Sequence, residues 1–344
     1  MSRFVSGVIE GFYGRPWSWS ARRQWADFLK LGDYSLYIYA PKSDACLRAQ
    51  WHKSWPEAEF EELRALAEYC QLAGTEMGLG FSPLGLFRDY SLDNKTLLLK
   101  KIEQINRLNL DCLCILFDDM PGEFASLACE QLAIIGDIVT ASNAKRFIVC
   151  PTYYSTDPVL ESVFGAMPNN YLGELAEGLP AEIDLFWTGD RVISETYAGV
   201  SLIEAAKLLG REPVIWDNGL ANDGRATADF LRLLPLRSRS LLMPPYVRGH
   251  IINPMNQPLL SMWALAGMNP AATGVEQRQL VSGDLQARLE ADAEIFTQRG
   301  RLLFDESHRL LLIERYRAFQ EPLADEVASW LAGDYVFDPA CLTG

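Results

Sequence analysis

The chain has 344 residues, 49% of them hydrophobic, enough to bury one large core or two moderate ones. Lys and Arg number 31 against 45 Asp and Glu, a formal charge of −14 that argues against nucleic acid or an anionic membrane as main partner, because binding phosphate needs a basic surface. Cys46, Cys70, Cys112, Cys114, Cys129, Cys150 and Cys341 form an odd set without a regular framework, and the only histidines are His52, His250 and His308. That pattern predicts a reduced, cytoplasmic protein with no metal site and no cofactor. The opening residues Met1 to Gly7 lack a long apolar stretch and no later run approaches a membrane span, so neither export nor membrane insertion is expected.

Apolar strand-like runs alternate with amphipathic helical stretches as far as about residue 270. In chain order the strands read as Phe4–Ile9, Ser35–Ala40, Glu76–Phe81, Cys112–Phe117, Phe147–Cys150, Ile183–Trp187, Val214–Trp216 and Val247–Ile252. Helical segments read near Ser18–Leu31, Pro56–Ala73, Asn94–Leu108, Glu123–Thr140, Asn169–Glu177, Leu202–Leu209, Arg225–Leu234 and Pro258–Leu265. Eight strand–helix units match the length of an α/β (β/α)₈ TIM barrel, and a doubly wound open sheet is the competing topology. Beyond residue 275 only helices are expected, over Gln277–Arg299, Leu302–Phe319 and Leu323–Ala332, followed by an irregular tail, Gly333–Gly344. The organisation expected is thus a barrel over 1–270 and a C-terminal helical segment over 271–344. Those amphipathic helices either pack on their own barrel or make a homodimer by exchange with a second copy.

In a barrel the active site is built at the carboxyl ends of the strands. The fourth strand, Cys112-Leu113-Cys114-Ile115-Leu116-Phe117, carries no charge and ends in adjacent acids, Asp118 and Asp119. Cys112 and Cys114 share one face of it as small buried hydrophobes. Two neighbouring carboxyls cannot both ionise freely, which makes an acid and a base from one residue type. The bland alternative is an acidic turn capping the next helix. The other strand exits weigh against it: Glu10-Gly11-Phe12-Tyr13-Gly14-Arg15-Pro16-Trp17 after the first, Pro41-Lys42 after the second, Pro151-Thr152-Tyr153-Tyr154 after the fifth. Trp187-Thr188-Gly189-Asp190, Trp216-Asp217-Asn218 and Asn253-Pro254-Met255-Asn256 follow the sixth, seventh and eighth. Only the third exit, Ser82-Pro83-Leu84-Gly85, lacks a charged, amide or aromatic group. Singly, each has a bland reading as a core cap or turn residue; together, carboxylates, amides, one Lys and flat aromatics make a carbohydrate-site inventory.

The motifs Gly7-Val8-Ile9-Glu10-Gly11-Phe12-Tyr13-Gly14-Arg15-Pro16-Trp17, Tyr37-Ile38-Tyr39-Ala40-Pro41-Lys42 and Leu116-Phe117-Asp118-Asp119 resemble glycoside hydrolase family 84, the β-N-acetylglucosaminidases that include O-GlcNAcase and hyaluronidase-like enzymes. The resemblance covers residues 5 to about 270 and implies a (β/α)₈ barrel. It implies retaining, exo-acting hydrolysis of terminal β-linked N-acetylglucosamine, in which the sugar's acetamide oxygen attacks its own anomeric carbon and forms an oxazoline. An N-acetylglucosamine-containing glycoside or glycopeptide, including O-glycosylated Ser/Thr, is then the partner. By resemblance Asp118 orients the acetamide N–H and Asp119 is general acid, then base. Tyr154 would hydrogen-bond the acetamide oxygen, Trp216 wall its methyl group, Asn218 orient Asp118, and Asn253 bind a ring hydroxyl. Lys42 and the Gly11 backbone would hold the 3-hydroxyl side, Asp223 the 4- and 6-hydroxyls, and Tyr13 would lie near the leaving group. Tyr153, Asp190 and Asp217 depart from the family pattern, the first two expected on the aglycone side. Two other readings are a catalytically silent N-acetylhexosamine-binding barrel and a metal-dependent hydrolase using Asp118, Asp119 and Asp223; the intact acidic pair weighs against the first and the dearth of His against the second.

Overall fold

The computed structural model describes residues 4–32, 34–234, 246–268 and 273–343. The eight strands are β1 (Val5–Ile9), β2 (Leu36–Tyr39), β3 (Glu76–Phe81), β4 (Cys112–Leu116), β5 (Arg146–Cys150), β6 (Asp184–Trp187), β7 (Val214–Asp217) and β8 (Gly249–Ile252). Each pairs in parallel with the next, and β8 closes on β1 with Val5 opposite Gly249 and Val8 opposite Ile252. A parallel strand in a barrel is covered on both faces, so it reads as a continuous apolar run. Every residue of β2, β4, β6, β7 and β8 is accordingly buried. Within β4 the Cys112 and Cys114 sulfurs lie 3.8 Å apart on one face, both reduced.

Helices α1 (Trp19–Leu29), α2 (Glu57–Ala73), α3 (Leu92–Asn106), α4 (Leu127–Ala141), α5 (Val159–Phe164), α6 (Tyr171–Gly178), α7 (Gly199–Leu209) and α8 (Pro258–Met268) connect or follow the strands. Local chemistry sets several ends: the Ser18 hydroxyl accepts from Ala21 N at 3.1 Å to start α1, and Gly74 in the left-handed region stops α2. Two helical expectations fail. The helix expected from Glu123 begins at Leu127, since Gly122 N is committed to Phe164 O at 2.7 Å. The segment expected as a helix over Arg225–Leu234 is a turn, because its backbone is claimed by tertiary partners: Leu231 N donates to Phe296 O and Asn222 Nδ2 to Phe230 O. No described helix is long and apolar enough to cross a membrane.

After the barrel come α9 (Gly283–Gln298), α10 (Glu306–Arg317) and α11 (Pro322–Ala332), preceded by a short 3₁₀ turn at Gln277–Gln279. The expected boundary at 270/271 lies outside the described residues, as do Met1–Arg3 and Gly344. The helices pack on their own barrel. Arg301 Nε donates to Asp229 Oδ1 at 2.7 Å and Trp330 Nε1 to Ala228 O at 3.2 Å. Glu326 accepts from Leu259 N and Leu260 N at the start of α8, at 3.0 and 2.9 Å. Burial pushes its carboxyl up to about 8 despite those two donors. The tail then crosses the rim of the barrel, with Tyr335 under the Arg15 guanidinium and Phe337 under that of Arg225.

Candidate active site

The strand exits converge on a cavity of about 540 Å³, open to solvent. Its lining contains Gly11, Tyr13, Lys42, Asp118, Asp119, Tyr154, Trp216, Asn218, Asp223 and Asn253. These residues come from the ends of β1, β2, β4, β5, β7 and β8, and only barrel closure brings them together.

The β1–β4 side carries most of the charge. Lys42 Nζ forms an ion pair with Asp118 Oδ2. Asp118 Oδ1 is buried and has no hydrogen-bond partner among the described residues, an acceptor in the wall of the cavity that awaits a donor. Asp119 takes a left-handed backbone with φ 55° and holds its carboxyl among hydroxyls. Tyr13 OH donates to Asp119 Oδ2 at 2.8 Å and Tyr154 OH to Oδ1 at 3.1 Å. Burial, and after it the Asp118 charge, raises the Asp119 carboxyl above the ordinary carboxylate range, against opposing contributions from Lys42, Arg48 and the Tyr13 hydroxyl. Burial and Asp119 likewise raise the Tyr13 and Tyr154 phenols, which stay donors.

Under this side lies a second buried cluster. Glu10, fully buried, accepts from Arg22 Nε and Nη2 at 2.8 Å each, from Tyr37 OH at 2.6 Å and from Trp17 N at 3.1 Å. It pins both ends of the Gly11–Trp17 loop. Trp17 stacks on Trp25 at 5.0 Å and donates through Nε1 to Met255 O and Asn256 O.

The β5–β8 side is built mostly of neutral groups that hold one another. Asn218 Oδ1 accepts from Trp216 Nε1 and Asn253 Nδ2, both at 2.9 Å, and its Nδ2 donates to Val192 O. Asn253 Oδ1 accepts from Gly11 N at 3.2 Å, closing the ring of strand exits. Gly11 has to be glycine for contact: a Cβ there would sit 2.4 Å from the Trp216 indole. The one acid that lines the cavity from this side, Asp223, accepts from Tyr13 N at 2.7 Å, and burial pushes it up to about 6.

Several expected contacts differ in detail. Asn218 does not reach Asp118; its amide group is spent on Trp216, Asn253 and Val192. Lys42 pairs with Asp118, and Asn253 has both polar atoms engaged with protein. None of the three departures lines the cavity. Tyr153 is buried with its hydroxyl on Gly165 O at 2.7 Å. Asp190 is exposed, and Asp217 is buried against His250 Nε2 at 3.0 Å and Gly219 N at 2.8 Å.

Sequence reading missed Arg48 and Thr343. Arg48 lies in an irregular stretch six residues after Lys42 and carries no periodic or motif signal. Thr343 and Cys341 line the cavity from the tail, and Thr343 Oγ1 lies 3.4 Å from Tyr154 OH. Nothing in a tail's composition places it at a rim some hundreds of residues away.

The β-N-acetylglucosaminidase family model matches residues 6–280. The chain is 32% identical over 262 residues to the protein O-GlcNAcases of Rattus norvegicus and Mus musculus, covering 73% of this chain and 28% of each relative. It therefore spans less than a third of the length of those relatives. Among solved structures, an Asp-to-Asn mutant of the O-GlcNAc hydrolase of Thermobaculum terrenum superposes with a TM-score of 0.75 at 25% identity, over 96% of this chain and 75% of the other. A match over most of the barrel, with the strand-exit residues gathered in one cavity, assigns the chain to the β-N-acetylglucosaminidase family of glycoside hydrolases.

Proposed function

We propose that this chain is a retaining exo-β-N-acetylglucosaminidase that uses its substrate's acetamide as the nucleophile, with N-acetylglucosamine on protein Ser/Thr as the substrate class. The observation that carries it is the pairing of a buried, unpartnered acceptor, Asp118 Oδ1, with an adjacent carboxyl of raised pKa, Asp119. An ordinary retaining site has a carboxylate nucleophile set about 5 Å from the acid, whereas here the two acids are chain neighbours and one is taken up by Lys42.

In this reading the acetamide N–H fills the open valence of Asp118 Oδ1. The acetamide oxygen attacks C1, the bond from C1 to the leaving oxygen breaks, and protonated Asp119 gives its proton to that oxygen. The positive charge of the resulting oxazolinium is shared with Asp118 through the N–H contact. Asp119, now a carboxylate, takes a proton from water as the water oxygen attacks C1 and reopens the ring. Two inversions at C1 return the β configuration. The Tyr13 and Tyr154 hydroxyls stabilise the carboxylate form of Asp119 in the second half. The Trp216 face and the Asn218–Asn253 pair shape the pocket around the sugar, with Asp223 positioned for its hydroxyls. The relatives' descriptions as O-GlcNAcases support the Ser/Thr aglycone. Seven cysteines with no disulfide among them support a reducing, cytoplasmic setting.

Release of nitrophenol from its β-N-acetylglucosaminide, with none from the plain β-glucoside, is the expected result. Equal turnover of the two sugars would remove the acetamide from the mechanism. No turnover of either, with N-acetylglucosamine still bound, would favour the silent binding barrel.

A further inference from the structure

Resting on the reading of Asp119 as the group that moves the proton, we propose that Arg48 is a positioning residue that clamps the backbone of the Asp118-Asp119 turn and so fixes where the two carboxyls stand. Arg48 Nη2 donates to Asp119 O at 2.7 Å and Nη1 to Asp118 O at 3.4 Å, so one guanidinium faces both carbonyls of the pair. Its Nη1 is anchored in turn by Ser82 Oγ at 2.8 Å, and Ser82 N donates to Leu47 O at 3.0 Å. The third strand exit, blank of charge in the sequence, is thus the post to which this clamp is tied.

The turn requires such a device. Asp119 is one of four non-glycine residues with positive φ among those described, in a region that L side chains disfavour. Left to relax, the peptide would rotate and carry the Asp119 carboxyl away from Tyr13 and Tyr154. Arg48 is 9% exposed, and its planar fork suits two carbonyls and a hydroxyl in a way an ammonium cannot reproduce. One loop after β2 therefore serves the dyad twice, through Lys42 on the Asp118 side chain and through Arg48 on the backbone. The charged and titratable groups around Asp119 are Tyr13 from the first loop, Lys42 and Arg48 from the second, Asp118 beside it, Cys150 and Tyr154 from β5 and its loop, and Asp223 after β7. Only Lys42 and Arg48 are cations, so removing either moves the Asp119 titration upward.

The test combines Arg48→Met and Arg48→Lys with steady-state kinetics on an alkyl β-N-acetylglucosaminide and with ¹³C titration of the Asp119 carboxyl, assigned through Asp119→Asn. Both variants are expected to lose about tenfold to a hundredfold in kcat with little change in KM, as for a displaced catalytic group. Only Arg48→Met is expected to move the Asp119 midpoint up, by about 1 pH unit. Full kcat in Arg48→Lys would show that charge alone suffices and would overturn the clamp. An unmoved Asp119 signal and unchanged kcat in Arg48→Met would overturn it too. Ser82→Ala, which leaves the cation in place and only unties it, guards against a misfolded Met variant: a smaller kcat loss of the same kind supports the clamp, and wild-type kcat contradicts it. If the wild-type protein turned over no glycoside, the catalytic reading would fall. The Asp119 titration in Arg48→Met would still show whether the guanidinium acts on that carboxyl.

Discussion

The two halves of the barrel mouth are built on different principles. On the β1–β4 side the polar groups are mostly charged, and they are buried against partners: Lys42 with Asp118, Arg48 with the dyad's carbonyls, Arg22 with Glu10. On the β5–β8 side the polar groups are mainly amides and aromatics that saturate one another, as Asn218, Asn253 and Trp216 do. A buried charge costs several kcal/mol to desolvate unless paired, so a protein concentrates charge where a proton has to move and uses neutral groups where only shape is needed. In the proposed mechanism the charged half does the chemistry and the neutral half holds the sugar. Among the cavity-lining residues of the quiet side the exception is Asp223, tied by its contact with Tyr13 N to the charged side's first loop.

The comparison predicts unequal losses. Asp119→Asn should lower kcat/KM on an alkyl aglycone by about 10²- to 10⁴-fold, the usual worth of a general acid. With a nitrophenolate leaving group, which departs without a proton, the first step should be far less impaired. Equal losses on both would deny Asp119 the proton. Asp118→Asn should cost about 10²- to 10³-fold in kcat irrespective of leaving group, since it removes charge stabilisation. A loss confined to KM would place Asp118 on the binding side and blur the division between halves.

Asn253→Ala, on the quiet side, should act chiefly on KM, by about tenfold, the worth of one buried hydrogen-bonding partner. A kcat loss as large as that of Asp118→Asn would break the comparison. The pH profile sharpens it. Asp223, pushed up to about 6, is protonated below that value and a poorer hydroxyl acceptor, so 1/KM should rise as pH is raised from 5 to 7. Asp223→Asn should flatten that rise. Asp119, as a raised general acid, gives the opposite limb: kcat falls as pH climbs through its midpoint. Smallest of all, Thr343→Val should change kcat/KM by no more than about threefold, since its contact with Tyr154 at 3.4 Å is long for a hydrogen bond between hydroxyls.

Much of this molecule was legible before folding. The uncharged run of β4 and the acids at its exit follow from burial on both faces, and the eight-fold alternation carried the barrel. What escaped was whatever depends on a partner far along the chain. The Arg225–Leu234 segment has helical composition, yet Phe296 and Asn222 claim its backbone. Tyr153 and Tyr154 look alike in sequence, but the bend after β5 sends the first hydroxyl to Gly165 O and the second to Asp119. Arg48 had no signal at all, because its partners in the dyad are main-chain carbonyls and main chain has no letter code.

If the nucleophile belongs to the substrate, fluorination of the acetamide has to slow the reaction. Each fluorine on the N-acetyl methyl weakens the carbonyl oxygen as a nucleophile while leaving the glycosidic bond in place. Across the acetyl, monofluoro-, difluoro- and trifluoroacetyl β-glucosaminides of one nitrophenol, kcat/KM should fall steeply and monotonically, the parent being fastest. A flat series, with the trifluoroacetyl substrate cleaved as fast as the acetyl one, would mean that a group of the protein attacks C1, and would contradict the account.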